Sequence, residues 1–435
     1  MALAIVSLLA GLWAALLRLG LPVPTLQANL AAVHGQLMTL GFLGTFIALE
    51  RAVALGEAWG YLAPAAAGAG GIAVAAGVPG SVGEALLGCG GLSLVAIFVA
   101  VHRIQPSLHN AVLAAGAVCW VVAAGLWLAG WDISRFVPWL VGFLVLTITG
   151  ERLELSRMTG VSRRARLLFT GAAAVFGAGL ISSLAAGPAP AVPGEGSPAG
   201  IRITGAGLIL LAAWLARYDI ARRTIRGQGL TRYMAAALLT GYAWLAVAGV
   251  LWAVSGQMAD GSAYDAELHA IFLGFVMSMI FAHAPVIIPS VTGRRLPYRP
   301  VLYVPLVLLH ASLLLRLAGG DWAGNTDAWQ WGGSLNEVAI LLFLVLAAAL
   351  VARSGRGGSG KRWPPRVSVA EPAQSAVQHD APHLPQAAIK EPDASQPEAT
   401  EPDASPPVTG RAAQRATSSD LAHPPGWLAP GGFLR

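Results

Sequence analysis

Phe136-Val-Pro-Trp-Leu-Val-Gly-Phe-Leu-Val-Leu-Thr-Ile-Thr-Gly-Glu151-Arg152 is the stretch that decides the fold class. No charge interrupts it until its last two residues, and as a helix it comes close to spanning the roughly 30 Å hydrocarbon core of a bilayer. Comparable apolar runs lie on either side of it, at 3–21, 30–52, 61–79, 84–101, 110–130, 165–187, 201–218, 232–255, 266–292, 300–318 and 332–352. The reading is an all-α integral membrane protein with twelve transmembrane helices. Composition agrees. Of the 435 residues 55% are hydrophobic, mean hydropathy is +0.63, and charged residues make up 11% where soluble domains carry about 25%. So few charges cannot cover a soluble surface of this size. A soluble enzyme and a mostly disordered chain are both excluded.

The +6 net charge is a topology signal rather than a nucleic-acid signal. When the loops are numbered alternately, one side collects Arg51, Arg103, Arg152, Arg157, Arg217 and Arg232. The same side holds Arg163, Arg164 and Arg166, then Arg222, Arg223 and Arg226, then Arg294, Arg295 and Arg299, and the bases from Arg353 to Arg366. The other side has only Arg18, Arg135, Arg202 and Arg316, together with the acidic Asp260, Asp265 and Glu267. Positive charge stays inside, so both termini are expected in the cytoplasm and the protein in the plasma membrane, with the bilayer as its main partner. Met1 to Leu21 lacks a basic leader and reads as a retained first helix. Residues 1–353 form the membrane domain. The Pro-, Ala-, Ser- and Glu-rich stretch 354–435, with His379, His383 and His423, reads as a solvated, disordered tail.

The opening stretch also belongs to an internal repeat. Gly41-Phe42 precedes Glu50-Arg51, Gly142-Phe143 precedes Glu151-Arg152, and Gly274-Phe275 precedes His283, always at one offset and four helices apart. The pattern implies three four-helix units around a pseudo-threefold axis. It would gather Glu50, Glu151 and His283 at one depth, with His310 reaching a similar depth from the returning helix 11. Such a group suits copper or iron, or a proton or charge relay that includes Arg51 and Arg152. Equally, Glu–Arg pairs at the inner ends of spans anchor helices at the interface.

Ionisable side chains within spans are costly, so His34 and His269 stand out. Each lies about one turn into its helix from the outer side, as axial ligands on opposite faces of one haem would. Taken singly, each also fits an interfacial imidazole bonded to water or a loop carbonyl. Cys89 and Cys119 lie inside apolar runs, and no Cys-x-x-Cys-His motif exists, so a haem here would be noncovalent, of b type. His102 and His109 flank a cytoplasmic loop and read as loop residues.

Glu267-Leu-His269-Ala-Ile-Phe-Leu-Gly-Phe-Val-Met, followed by Thr292-Gly293-Arg294, resembles the His-Ala block and Thr-Gly-Arg ending of the NnrS family. Val33-His34-Gly35 with Gly41-Phe42 fits the same picture. The resemblance implies a twelve-helix, haem- and copper-containing membrane protein of nitric oxide or redox-stress metabolism, with nitric oxide as a small-molecule ligand. In that family a His precedes Thr-Gly-Arg, where this chain has Val291. More distantly, histidines on helices 2 and 10 resemble subunit I of haem–copper oxidases. Helices 6 and 7 hold no histidine, so the copper centre of those oxidases is not expected. The competing class is a secondary transporter, in which Glu50, Glu151 and His283 would bind substrate or a coupling proton beside the helix break at Ala284-Pro285. A scaffold without cofactor would tolerate replacement of every buried histidine.

Overall fold

The computed structural model describes residues 1–157, 160–188, 199–256 and 259–354, and among these every regular element is helical. The chain runs through α1 (Ala2–Arg18), α2 (Ala31–Leu55), α3 (Leu62–Ala75), α4 (Val82–Ile104), α5 (Leu108–Leu128) and α6 (Ile133–Arg157). It continues through α7 (Arg163–Ser183), α8 (Ala199–Tyr218), α9 (Gly229–Ser255), α10 (Gly261–Thr292), α11 (Pro300–Trp322) and α12 (Thr326–Ser354). Ten of these helices are long and apolar enough to cross a membrane. The exceptions are α1, with 17 residues, and α3, with 14. At 1.5 Å per residue α3 falls short of the hydrocarbon thickness, because Gly77 takes a left-handed φ of 66° just after it and ends the run early. The expected span 61–79 is therefore shorter than the sequence suggested. The tail from residue 355 onward, with its three histidines, lies outside the described residues.

Local chemistry sets the ends. The side chains of Ser107 and Ser162 cap α5 and α7 by accepting the backbone N–H groups of Asn110 and Ala165. Gly56 and Gly293 close α2 and α10 in left-handed conformation, at φ 75° and 69°.

Burial singles out α6. In its apolar stretch 89% of residues are buried, against 33% for α4 and α7, so α6 lies inside the bundle while the others present a lipid-facing side. It touches α2 and α10, which also touch one another. The repeated glycines make this packing close. A Cβ on Gly41 would meet Ser7 of α1 at 3.1 Å, one on Gly142 would meet Leu180 of α7 at 2.8 Å and Cys119 of α5 at 3.1 Å, and one on Gly274 would meet Trp244 of α9 at 2.4 Å. Each repeat glycine thus lets a neighbouring helix approach closely, and at Gly142 the nearest atom belongs to the helix that follows. At the far end of the chain, Gln330 of α12 donates to the Leu19 carbonyl at 3.0 Å and ties the last helix to the first.

Three helices contain a wide, π-helical turn: Leu37–Gly44 in α2, Ala270–Met277 in α10 and Leu315–Trp322 in α11. The first two begin within one turn after His34 and His269. Such turns rotate the following side chains relative to a regular helix and recur at functional sites.

Candidate functional site

Two polar centres occupy opposite ends of the helical core. At the first, His34 and His269 line one cavity of about 380 Å³, with Met38, Tyr264, Phe272 and Glu337 among its other walls. Each imidazole is held the same way. Nδ1 of His34 bonds the Gly11 carbonyl at 2.8 Å, across to α1, and Nδ1 of His269 bonds the Asp265 carbonyl at 2.8 Å, one turn back in α10. A carbonyl only accepts, so in both rings Nδ1 carries a proton, and in a neutral imidazole Nε2 then keeps its lone pair. Neither Nε2 has a hydrogen-bond partner among the described residues. A ring fixed through Nδ1–H with a free Nε2 is the arrangement that metal-bound histidines adopt.

Asp265 organises the surroundings. Its carboxylate takes two bonds from Arg316 of α11, Nε to Oδ2 and NH2 to Oδ1, each 2.7 Å, and a third from the Trp329 indole of α12 at 3.1 Å. Oδ1 also lies 3.2 Å from His269 Nδ1. Gly332 and Gly333 make room for this grip, because a Cβ on either would stand within 3 Å of Arg316. Arg18 and Arg316 bring positive charge to the same cavity. Asp260, Asp265 and Glu337 line it as well, and Arg316 is already committed to Asp265. A largely apolar group held by two imidazoles, with its charge met by Arg18, fits this donor set, and the volume falls in the range of about 300–1,000 Å³ usual for ligand pockets.

The second centre holds the repeat residues. Glu50, Glu151 and His283 line one cavity of about 150 Å³, as their shared offset implies. Arg51 bonds Glu151 directly and lies 3.8 Å from Glu50. Arg152, 2% exposed, forms a two-point pair with Asp219 at 2.7 and 3.0 Å and points NH1 at His283 Nε2, 3.1 Å away. Arginine only donates, so His283 Nε2 accepts, and His283 Nδ1 bonds the Met279 carbonyl at 2.7 Å. Both ring nitrogens of His283 are therefore engaged. His310 is not part of this cavity. Its Nδ1 accepts the Trp244 indole N–H at 3.0 Å, which leaves the proton on Nε2. His283 thus has no free nitrogen for a copper or iron ion shared with His310, and a guanidinium stands where a cation would bind. Among the described residues no group of three or more His, Cys, Asp and Glu side chains is placed to hold a metal ion.

The structure also brings in residues that sequence reasoning left aside. Asp219, at the end of α8, is 3% exposed and neutralises Arg152 across 67 positions of chain. Asp265 and Arg316 read as loop charges, yet they pair within the bundle. The signal for Asp265 was its spacing, four residues before His269 on one helix face. Asp219 left no local signal.

No curated protein and no solved structure matches the chain. One family model does match, over residues 1–352, and so takes in α1 through nearly all of α12 while stopping where the tail begins. That match covers most of the chain, which therefore belongs to the family described as Domain of unknown function (DUF8744).

Proposed function

We propose that this protein is a haem-binding membrane protein of the NnrS type, acting in nitric oxide or redox-stress metabolism, with His34 and His269 as the two axial ligands of a noncovalent b-type haem. One observation carries the reading. Two histidines on different helices face one cavity, each with Nδ1–H tied to a backbone carbonyl and Nε2 left without a partner. Haem iron held there supplies one-electron chemistry and affinity for diatomic ligands such as nitric oxide. The chain's own part is to fix both rings, to offset carboxylate charge with Arg18, and to keep the site apolar at Met38, Leu43 and Phe272.

In this reading α1 and α3 complete twelve spans, and the three Gly-Phe helices α2, α6 and α10 surround a pseudo-threefold axis. Their mutual contacts and the close packing at each repeat glycine support that arrangement. The loop charge split supports cytoplasmic termini in the plasma membrane and puts the His34 cavity on the outer side. At the inner end Glu50, Arg51, Glu151, Arg152, Asp219 and His283 form a charge relay within the membrane.

The visible spectrum of the purified protein tests the proposal. A Soret band of low-spin, six-coordinate haem is expected. Protein that is folded and stays colourless after incubation with haemin refutes it.

A further inference from the structure

The cavity at the Glu50 end has a size, a lining and a hydrogen-bond balance that together specify a ligand. Its volume is about 150 Å³. An apolar cavity of about that volume takes up a single benzene ring. The walls come from α1, α2, α6, α10 and α12 and include Phe42, Phe46, Phe281 and Phe343. Phe281 and Phe343 stack with centroids 4.0 Å apart, so part of the wall is flat and aromatic.

The polar side chains of the lining are Glu50, Thr147, Glu151 and His283. Their hydrogen atoms are all committed. Thr147 donates to the Phe143 carbonyl at 2.7 Å, and His283 donates through Nδ1 to Met279. His283 Nε2 and Glu151 accept from Arg152 and Arg51. Glu50 differs. Its nearest guanidinium nitrogen is 3.8 Å away, beyond hydrogen-bond length, and no described residue donates to it. With Glu50 ionised, these side chains offer acceptor lone pairs and no donor, so an occupant that bonds Glu50 must bring the donor. An anion would meet Glu50 and Glu151, whereas a neutral donor satisfies Glu50 without adding a second full charge to a chamber walled largely by hydrocarbon.

We propose that this cavity binds the ring of a neutral phenol or hydroquinone, with its hydroxyl donating to Glu50. The site is distinct from the histidine cavity, which it adjoins at Leu43, Met277 and Ile340. The ring has two possible sources, a free phenol from water or the head of a membrane-borne hydroquinone.

The test uses the full-length protein in lipid nanodiscs and compares phenol with toluene, which has similar ring size and no hydroxyl. Phenol is expected to bind saturably and at least tenfold more tightly than toluene, and Glu50→Leu should abolish that preference while leaving toluene binding unchanged. Decyl-hydroquinone then distinguishes the sources. Tighter binding than phenol assigns a membrane-borne ligand, and exclusion assigns a free one. Equal affinity for phenol and toluene in the wild-type protein, or no saturable binding of either, overturns the proposal without recourse to any variant. Retained phenol preference in a folded Glu50→Leu protein overturns it as well.

Discussion

Arg316 grips Asp265 at two points, Nε on Oδ2 and NH2 on Oδ1, both at 2.7 Å, and so fastens α11 to α10 four residues before His269. The pair crosses 51 positions of chain and sits beside the cavity that both histidines line. Its geometry is the bidentate form that arginine makes with carboxylates and lysine cannot.

Removing one partner strands the other. Arg316→Met should lower stability by about 3 kcal/mol, because Asp265 is left largely buried without its counter-charge. Thermal unfolding in detergent measures this. The double variant Arg316→Met with Asp265→Asn should lose less than the two single changes added together, since the stranded charge is gone. Simple additivity would show that the pair does not couple.

Asp265 also supports His269, so its effect should reach any bound haem. Asp265→Asn is expected to weaken haem affinity about 10- to 100-fold, as loss of a supporting partner around a metal ligand does. Haem titration followed at the Soret band reads it. His34→Ala and His269→Ala should each convert a low-spin spectrum to a five-coordinate one. A wild-type spectrum in both variants would falsify the axial assignment.

Arg152 and Asp219 are the most deeply buried ion pair among the described residues, 2% and 3% exposed. Asp219→Asn leaves the Arg152 guanidinium in the bundle without its two-point ion-pair partner, at an expected cost of about 3–5 kcal/mol. Folded yield and melting temperature should both fall. By contrast Glu57→Gln, at an exposed position outside the spans, should change stability by no more than about 0.5 kcal/mol.

Glycine substitutions separate packing from conformation. On Gly274→Ala the new Cβ would stand 2.4 Å from Trp244, and overpacking of this kind costs about 1–3 kcal/mol. Gly177→Ala, in the middle of α7 with nothing within 4 Å, should gain about 0.5–1 kcal/mol through backbone entropy. Melting curves showing the same sign for both would contradict the packing described here.

Topology has its own check. A single cysteine at Arg222 should react with an impermeant thiol reagent only from the cytoplasmic face, and one at Asp260 only from the outside. Labelling of both positions from one face would remove the basis for placing the His34 cavity outward.

Membrane embedding, the positions of the long helices and the line of Glu50, Glu151 and His283 could all be read from the chain itself. Each follows from local or periodic properties: the length of an apolar run, the side of a basic loop, an offset counted from Gly-Phe. Helix α3 is the local exception, since an apolar run to Pro79 concealed the turn at Gly77. The partners of the buried charges needed the tertiary structure. Whether Glu151-Arg152 is an interfacial anchor or part of a buried network depends on Asp219 arriving from α8, and nothing near residue 152 encodes that arrival. In the same way, a histidine's type and depth do not say which ring nitrogen is free. For His269 that is decided by the Asp265 carbonyl one turn back in its own helix. For the others it is decided by the Gly11 carbonyl and by the side chains of Arg152 and Trp244, which only close packing brings within 3.1 Å. A hydrogen bond acts over the last few tenths of an ångström, and the sequence specifies that distance only through the whole fold.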